Sequence, residues 1–329
     1  MNTDEMLRTM TRTYNEAQGK RNERYAGRWA PANHGSVDLD AAVASINKDG
    51  FVYLKNLLPV ELVSEIRAKM DSFISNGINL SPPKKVTESG SWSPAATAGY
   101  GSEDTKSVRL SDEEFAMGSD HYRKLINYID IKEPFVNIPA TLQIAFNDTI
   151  MEIAERYLKT FPGVGYIKMR RSLVNSLGDF DTTYFHFDGN SVRTLKAFVY
   201  LHDVDEQGGP TTYVPGTHVN RFPGWGFDGR YNYDQIASIY GEKNITYLTA
   251  KAGDVVLGDP GGCHRGTKPI AADRDIIIIN YVIHPEYGFV GGALTMEGAA
   301  TVQVTQKDYD ALSEKQSAAA DFLEVVSPS

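Results

Sequence analysis

Asp181-Thr182-Thr183-Tyr184-Phe185-His186-Phe187-Asp188 decides how this chain is read. If the segment is a strand, residues i and i+2 project to one face. His186 and Asp188 then set an imidazole and a carboxylate side by side. These are two of the three ligands of the two-histidine, one-carboxylate facial triad, which holds non-haem Fe(II) and leaves positions open for substrate and oxygen. A surface ion pair or a satisfied strand histidine would leave the same trace. The triad reading needs a second histidine and an anchor for a co-substrate.

The second histidine stands in Pro260-Gly261-Gly262-Cys263-His264-Arg265-Gly266, 78 residues after His186. The glycines let the backbone bend and leave space beside a metal. Ten residues further, Arg274 opens the run Asp275-Ile276-Ile277-Ile278-Ile279. A guanidinium at the start of a buried strand needs an anionic partner. Its planar fork can grip a carboxylate bidentately, as the far end of a dicarboxylate co-substrate requires. Asp273 and Asp275 are the alternative partners.

His186, Asp188, His264 and Arg274, in that order, resemble the pattern of the Fe(II)/2-oxoglutarate oxygenases. Two further segments resemble the phytanoyl-CoA dioxygenase (PhyH-like) family within them: Gly50 through Pro59, and Gly208-Gly209-Pro210-Thr211-Thr212-Tyr213-Val214-Pro215-Gly216-Thr217-His218. The likeness covers roughly residues 45–75 and 165–285. It implies a double-stranded β-helix core (jelly-roll, cupin-like). It implies Fe(II) held by His186, Asp188 and His264, with 2-oxoglutarate and O2 as co-substrates and ascorbate as a reductant in vitro. Arg274 would hold the distal carboxylate of 2-oxoglutarate, and Lys168, Phe198 and Thr267 fall near positions that touch the co-substrate. Where the family has a Ser shortly after the distal His, this chain has Gly266 and Thr267. Related halogenases replace the triad carboxylate with Gly or Ala, so Asp188 argues against halogenation. Hydroxylation of a C–H bond is the expected reaction, with release of succinate and CO2. Desaturation, cyclisation, epoxidation and endoperoxidation stay open, because they differ only in the fate of the substrate radical.

Five residues are candidates for the substrate side. Arg170 lies two residues beyond Lys168 and could meet a polar or anionic group. Asn280 shares strand parity with Arg274. Tyr184 belongs to the motif segment. Trp225 and Phe227 sit in an aromatic insertion and would form a lid, a local hydrophobic plug or a subunit contact. His218 reads as structural, His202 and His284 as surface or capping residues at strand ends, and Cys263 as a small buried thiol.

Of the 329 residues, 41% are hydrophobic and 23% charged, ordinary for a soluble globular protein. A net charge of −9 lacks the basic stripe of a nucleic-acid binder. The breadth of the family that the chain resembles implies a small molecule of secondary metabolism as substrate, favoured over a coenzyme A thioester because no basic phosphate-binding cluster is evident. The single cysteine allows no internal disulfide and fits a reducing compartment. Residues 1–28 carry no apolar signal core, and no run reaches the roughly 20 apolar residues of a membrane helix. The expectation is a cytoplasmic monomer or homodimer with no nucleic-acid or membrane partner.

Many short strands with Gly/Pro turns follow a helical N-terminal part, so the class is α+β with a mainly β core braced by helices. One domain is expected over residues 1–329. Residues 1–36 form a polar extension, 77–120 and 217–246 are candidate lid loops, and 303–329 is a helical tail. Helices are expected over 37–50, 60–76, 120–131 and 139–159. Two other classes compete: a cupin-like protein that binds or senses a small molecule without turnover, and a metal-dependent hydrolase or isomerase on the same barrel. Arg274 counts against the first, and normal activity in Arg274→Ala would support the second.

Overall fold

The structure, a computed structural model, describes residues 3–30, 32, 34–81, 110–189, 191–226, 229–284, 287–290, 293–296 and 302–327. The chain begins with helix α1 (Thr3–Tyr25), α2 (Leu39–Asp49), strand β1 (Phe51–Leu54) and α3 (Val60–Asn76). Short helices α4 (Asp112–Ala116) and α5 (Ser119–Tyr122) lead to β2 (Tyr128–Asp130). Next come α6 (Pro134–Asn137), α7 (Thr141–Ala145), α8 (Asp148–Leu158) and the long strand β3 (Gly163–Ser172). The second half carries β4 (Leu195–Tyr200), β5 (Thr211–Tyr213), α9 (Tyr233–Tyr240), β6 (Thr246–Leu248), β7 (Val255–Gly258), β8 (His264–Gly266) and β9 (Arg274–Val282). It ends with β10 (Tyr287–Val290), β11 (Ala293–Met296), β12 (Val302–Thr305), α10 (Gln306–Asp310), α11 (Glu314–Ala319) and β13 (Leu323–Val326).

Two sheets make the barrel. The larger has six antiparallel strands in the order β1-β7-β4-β9-β3-β2, and the smaller has three, β6-β5-β8. Alternation assigns each strand residue to one of two faces. One face of the large sheet carries Met169, Ala197, Val199, Val255, Leu257, Ile277 and Ile279. They share a core with Ile46 of α2, Ile66 and Met70 of α3, and Ile150 and Ile153 of α8. The other face carries Phe198, Tyr200, Val256 and Ile276, which pack with Tyr213 and Leu248 of the small sheet. Both faces of β9 are therefore covered, which explains four consecutive isoleucines where a one-sided strand would alternate.

The helices that brace the core start and stop on local chemistry. Asp38 caps α2 by accepting from the Ala41 N–H, and Gly50 ends it in the left-handed region at φ 90°. The helix expected over 139–159 is two helices. The Asn147 side chain accepts from the N–H groups of Thr149 and Ile150, capping α8 and separating it from α7.

Three further expectations are corrected. The helical spacing over 120–131 ends after α5, and Tyr128–Asp130 instead pairs with Arg170–Ser172 as a sheet edge. The stretch 181–188 is not a regular strand: Asp181–Thr183 is a turn of 3-10 helix, followed by isolated bridges Phe185↔Tyr231 and His186↔His264. The Thr183 hydroxyl, 2.7 Å from both the amide and the carbonyl of Phe180, closes that turn. The C-terminal tail is not purely helical, because β12 and β13 pair in parallel around α10 and α11.

The polar N-terminal segment is also an integral part of the molecule. Helix α1 buries Met10, Tyr14 and Tyr25, and Arg21 Nε donates to the Phe161 carbonyl at 2.6 Å. Of the two expected lid loops, residues 82–109 lie outside the described residues. The insertion 217–246 contains α9.

Candidate metal centre

The bridge between His186 and His264 builds the site. Each amide donates to the other residue's carbonyl, at 2.9 and 3.0 Å, and the rings stand 4.4 Å apart between centroids. The Asp188 amide donates to the Pro260 carbonyl at 2.9 Å, tying the motif to the glycine turn that leads into β8. One ligand atom from each of His186, Asp188 and His264 then lies within 4.8 Å of the others. So the same-side placement expected of a strand is reached by an irregular segment held through backbone bonds.

Both candidate histidines are oriented by backbone carbonyls. Nδ1 of His186 lies 2.9 Å from the Tyr184 carbonyl, and Nδ1 of His264 lies 2.9 Å from the Gly262 carbonyl. A carbonyl only accepts, so each Nδ1 carries a proton and Nε2 is the nitrogen turned toward the cluster. Burial, with the nearby His186, pushes His264 down to about 3, so its imidazole is neutral at physiological pH. Burial alone would raise the Asp188 carboxyl. The Lys196 ammonium, with His186 and His264, instead holds it well below the usual range. A neutral imidazole and an ionised carboxylate are the forms a divalent cation requires.

The neighbours of Arg274 answer the question left by Asp273 and Asp275. Asp273 is gripped by Arg123 at 2.6 and 2.7 Å. Asp275 is taken by Arg171 and Arg67. Arg274 is 6% exposed and points its guanidinium at neutral groups: the Gly209 carbonyl, the Thr267 carbonyl at 3.4 Å and the Ser172 hydroxyl at 3.0 Å. Its Nε has no partner among the described residues. Burial depresses its pKa to about 10. A buried cation with no carboxylate beside it is costly unless an anion completes the site. That fits one carboxylate of 2-oxoglutarate.

The remaining candidates fall on the barrel's inward face or away from it. Register aligns Arg274 with Ser172, Ile276 with Arg170 and Tyr200, Ile278 with Lys168 and Phe198, and Asn280 with Tyr166 and Lys196. Lys168, Phe198 and Asn280 thus share the face that carries Arg274. Thr267 supports Arg274 through its carbonyl, while its hydroxyl meets that of Thr212 at 2.5 Å. Arg170 is engaged by Asp130 through two bonds of 2.6 and 2.7 Å and lies 3.4 Å over the Tyr128 ring. Its charge is already matched, which removes it as a free anion receptor. Tyr184 is half-buried and serves His186 with its carbonyl. Trp225 packs on Phe187, 5.6 Å between centroids, inside a cluster with Tyr231, Tyr233 and Ile236. The plug reading therefore fits it better than the lid. Phe227 lies outside the described residues.

Among the histidines outside the centre, His218 is held at the Asn47 carbonyl. His202 accepts from the Asp275 amide. His284 is buried rather than on the surface, at 5% exposure against Ser191 and Tyr14. Cys263 is fully buried, and burial pushes its thiol up. Lys196 was missed by sequence reasoning. Its ammonium meets Asp188 Oδ2. The signal was available: a lone lysine in an apolar strand, two residues before Phe198 and so on the same face.

Residues 180–268 match the sequence model of the phytanoyl-CoA dioxygenase (PhyH) family. Among curated proteins none matches the chain in sequence. The solved structures that share the fold include two from one biosynthetic system. The epimerase SnoN, in complex with Fe3+, alpha-ketoglutarate (2-oxoglutarate) and nogalamycin RO, is 17% identical with a TM-score of 0.51, over 78% of this chain and 87% of that one. The alpha-ketoglutarate-dependent carbocyclase SnoK from nogalamycin biosynthesis is 16% identical with a TM-score of 0.50, over 79% and 89%. No helix of the described residues is long and apolar enough to cross a membrane. The chain thus combines the fold of these structures, a segment that matches the phytanoyl-CoA dioxygenase (PhyH) family model and a His-Asp-His cluster spanned by that segment.

Proposed function

We propose that the protein oxidises a C–H bond of a small organic substrate, hydroxylation being the reaction its centre supports best. His186, Asp188 and His264 would hold Fe(II). Arg274, supported by Ser172 and the carbonyls of Gly209 and Thr267, would hold the distal carboxylate of 2-oxoglutarate. The bound metal and co-substrate supply the oxidising power, with one oxygen atom of O2 going into succinate and the other into the substrate as 2-oxoglutarate loses CO2. The protein's own part is placement and exclusion of water. The paired Nδ1 bonds fix both imidazoles, and Phe198, Tyr200, Ile276 and Ile278 wall the interior with apolar surface.

The observation that carries this reading is the pairing of a three-residue cluster with a buried arginine to which no carboxylate bonds among the described residues. That arginine counts against a non-catalytic binding protein, and a hydrolase on the same barrel would not need it. The intact Asp188 weighs against halogenation. The structures that share the fold include an epimerase, SnoN, and a carbocyclase, SnoK, so the fate of the substrate radical is the finer point to measure.

Anaerobic titration with Fe(II) and 2-oxoglutarate tests the assignment through the metal-to-ligand charge-transfer band. The wild type should show the band, and His186→Ala should abolish it. Arg274→Ala should retain metal binding but weaken 2-oxoglutarate by about 30-fold or more, the scale of one lost buried charge-assisted pair. A wild type without the band, or a band indifferent to His186→Ala, would sink the assignment. Screening candidate substrates by succinate release, with mass analysis for a gain of one oxygen, then addresses the hydroxylation step.

A further inference from the structure

Asp188 presents its two oxygens to different neighbours. Oδ1 lies 3.4 Å from Nε2 of His186, on the side where the candidate ligands converge. Oδ2 is held by the ammonium of Lys196. Lys196 arises from β4, in register with Asn280 on one side and Gly258 on the other. Its side chain is 11% exposed, and Nζ lies 5.4 Å from the centroid of the Tyr166 ring. The lysine is thus walled in by its own sheet and directed at one oxygen of one ligand.

The division matters because a carboxylate can ligate through one oxygen or two. A facial triad works by leaving positions open. Three single-atom ligands on a six-coordinate metal leave three positions, two for a chelating 2-oxo acid and one for oxygen. A carboxylate that swings to two-oxygen ligation takes one of those three and competes with the chelate. Partners of this kind orient metal ligands in general and affect affinity by about 10- to 100-fold.

We propose that Lys196 is a positioning residue that holds Asp188 to single-oxygen ligation and so keeps the co-substrate's positions open. This rests on the ligand set proposed above. Removing Lys196 then has opposite effects on the two ligands: the metal still binds, with the second oxygen free to join, while 2-oxoglutarate loses its place. A lysine with a merely structural role would weaken both or neither.

Lys196→Met is titrated anaerobically, first with Fe(II) alone by calorimetry, then with 2-oxoglutarate by the charge-transfer band, and circular dichroism checks the fold. Support is Fe(II) affinity equal to or tighter than wild type, with 2-oxoglutarate at least about tenfold weaker. Unchanged 2-oxoglutarate affinity, or a parallel loss for both ligands in a folded variant, overturns the proposal. If Lys196→Met does not fold, Lys196→Gln, whose shorter amide cannot reproduce the charge, is read by the same criteria. A wild type without the band defeats the ligand set, and this proposal with it. A normal wild type with an indifferent Lys196→Met defeats this proposal alone.

Discussion

Lys168 is, like Arg274, an inward-facing cation without a bonded carboxylate among the described residues. Asp130 matches Arg170, and Asp188 matches Lys196, but no carboxylate bonds to Lys168 among the described residues. The neighbouring Arg170 first, and burial second, push its pKa from 10.5 down to about 8. With the folded value below the unfolded one, the unfolded chain binds more protons between pH 8 and 10.5. Stability therefore rises with pH through that window, and below it the buried charge weakens the fold in full. Lys168→Met should raise stability at pH 7 without ligands, and the gain should shrink as pH climbs from 8 to 10.5. Urea unfolding at pH 7 and pH 10 checks this; an equal difference at both would contradict it. The four residues with strong chemistry, His186, Asp188, His264 and Arg274, were legible because spacing and residue type suffice to name them. Lys196 and the pairing of Arg170 were not. A sequence shows that a cation shares a face, but not which carboxylate reaches it first.

The glycine turn before β8 is the element on which the centre depends. A Cβ on Gly262 would lie 1.8 Å from the Tyr213 hydroxyl oxygen, and the Gly262 carbonyl accepts from His264 Nδ1 at 2.9 Å. Tyr213 cannot yield freely, since its hydroxyl donates to the Asp259 carbonyl at 2.8 Å within a fully buried cluster. Gly262→Ala should therefore destabilise the fold by about 1–3 kcal/mol, the usual range for overpacking. It should also weaken metal binding by about tenfold, because it displaces the acceptor that orients an imidazole. Thermal unfolding and calorimetry with Fe(II) read the two effects, and a loss of stability at unchanged metal affinity would show that the turn does not set the ligand. Strands and helices with strong periodicity, such as β9, α3 and β4, could be read directly. Tyr122, Ile126 and Ile129 also follow helical spacing, yet Ile129 belongs to β2. An edge strand is defined by its partner β3, and the partner is absent from the local pattern.

At the scale of the whole molecule, the centre joins parts that lie far apart along the chain. His186 and Asp188 come from an irregular segment with two isolated bridges, His264 from the three-stranded sheet, and Arg274 from the six-stranded one. The N-terminal part shows why such assembly was hard to foresee. Met10, Tyr14 and Tyr25 form a sparse apolar stripe in a polar helix, and the sequence does not say that Tyr14 meets the Leu158 carbonyl and Tyr25 the Phe161 ring. The stripe was local, whereas its docking surface is assembled from distant segments. For the centre, this division into parts has a thermodynamic consequence. A metal that bridges the motif segment to the small sheet, and a dicarboxylate that continues the bridge to Arg274, bind the folded chain alone. At a hundredfold excess over the dissociation constant each contributes about 2.7 kcal/mol. For a chain of this size, that corresponds to a rise of about 5 °C in the unfolding midpoint per saturating ligand. Metal-stripped protein should therefore melt lowest, Mn(II) should raise the midpoint, and 2-oxoglutarate should raise it further only when Mn(II) is present. His186→Ala should lose both increments, whereas Arg274→Ala should keep the first and lose most of the second. A 2-oxoglutarate increment of full size in Arg274→Ala would place the dicarboxylate elsewhere in the barrel.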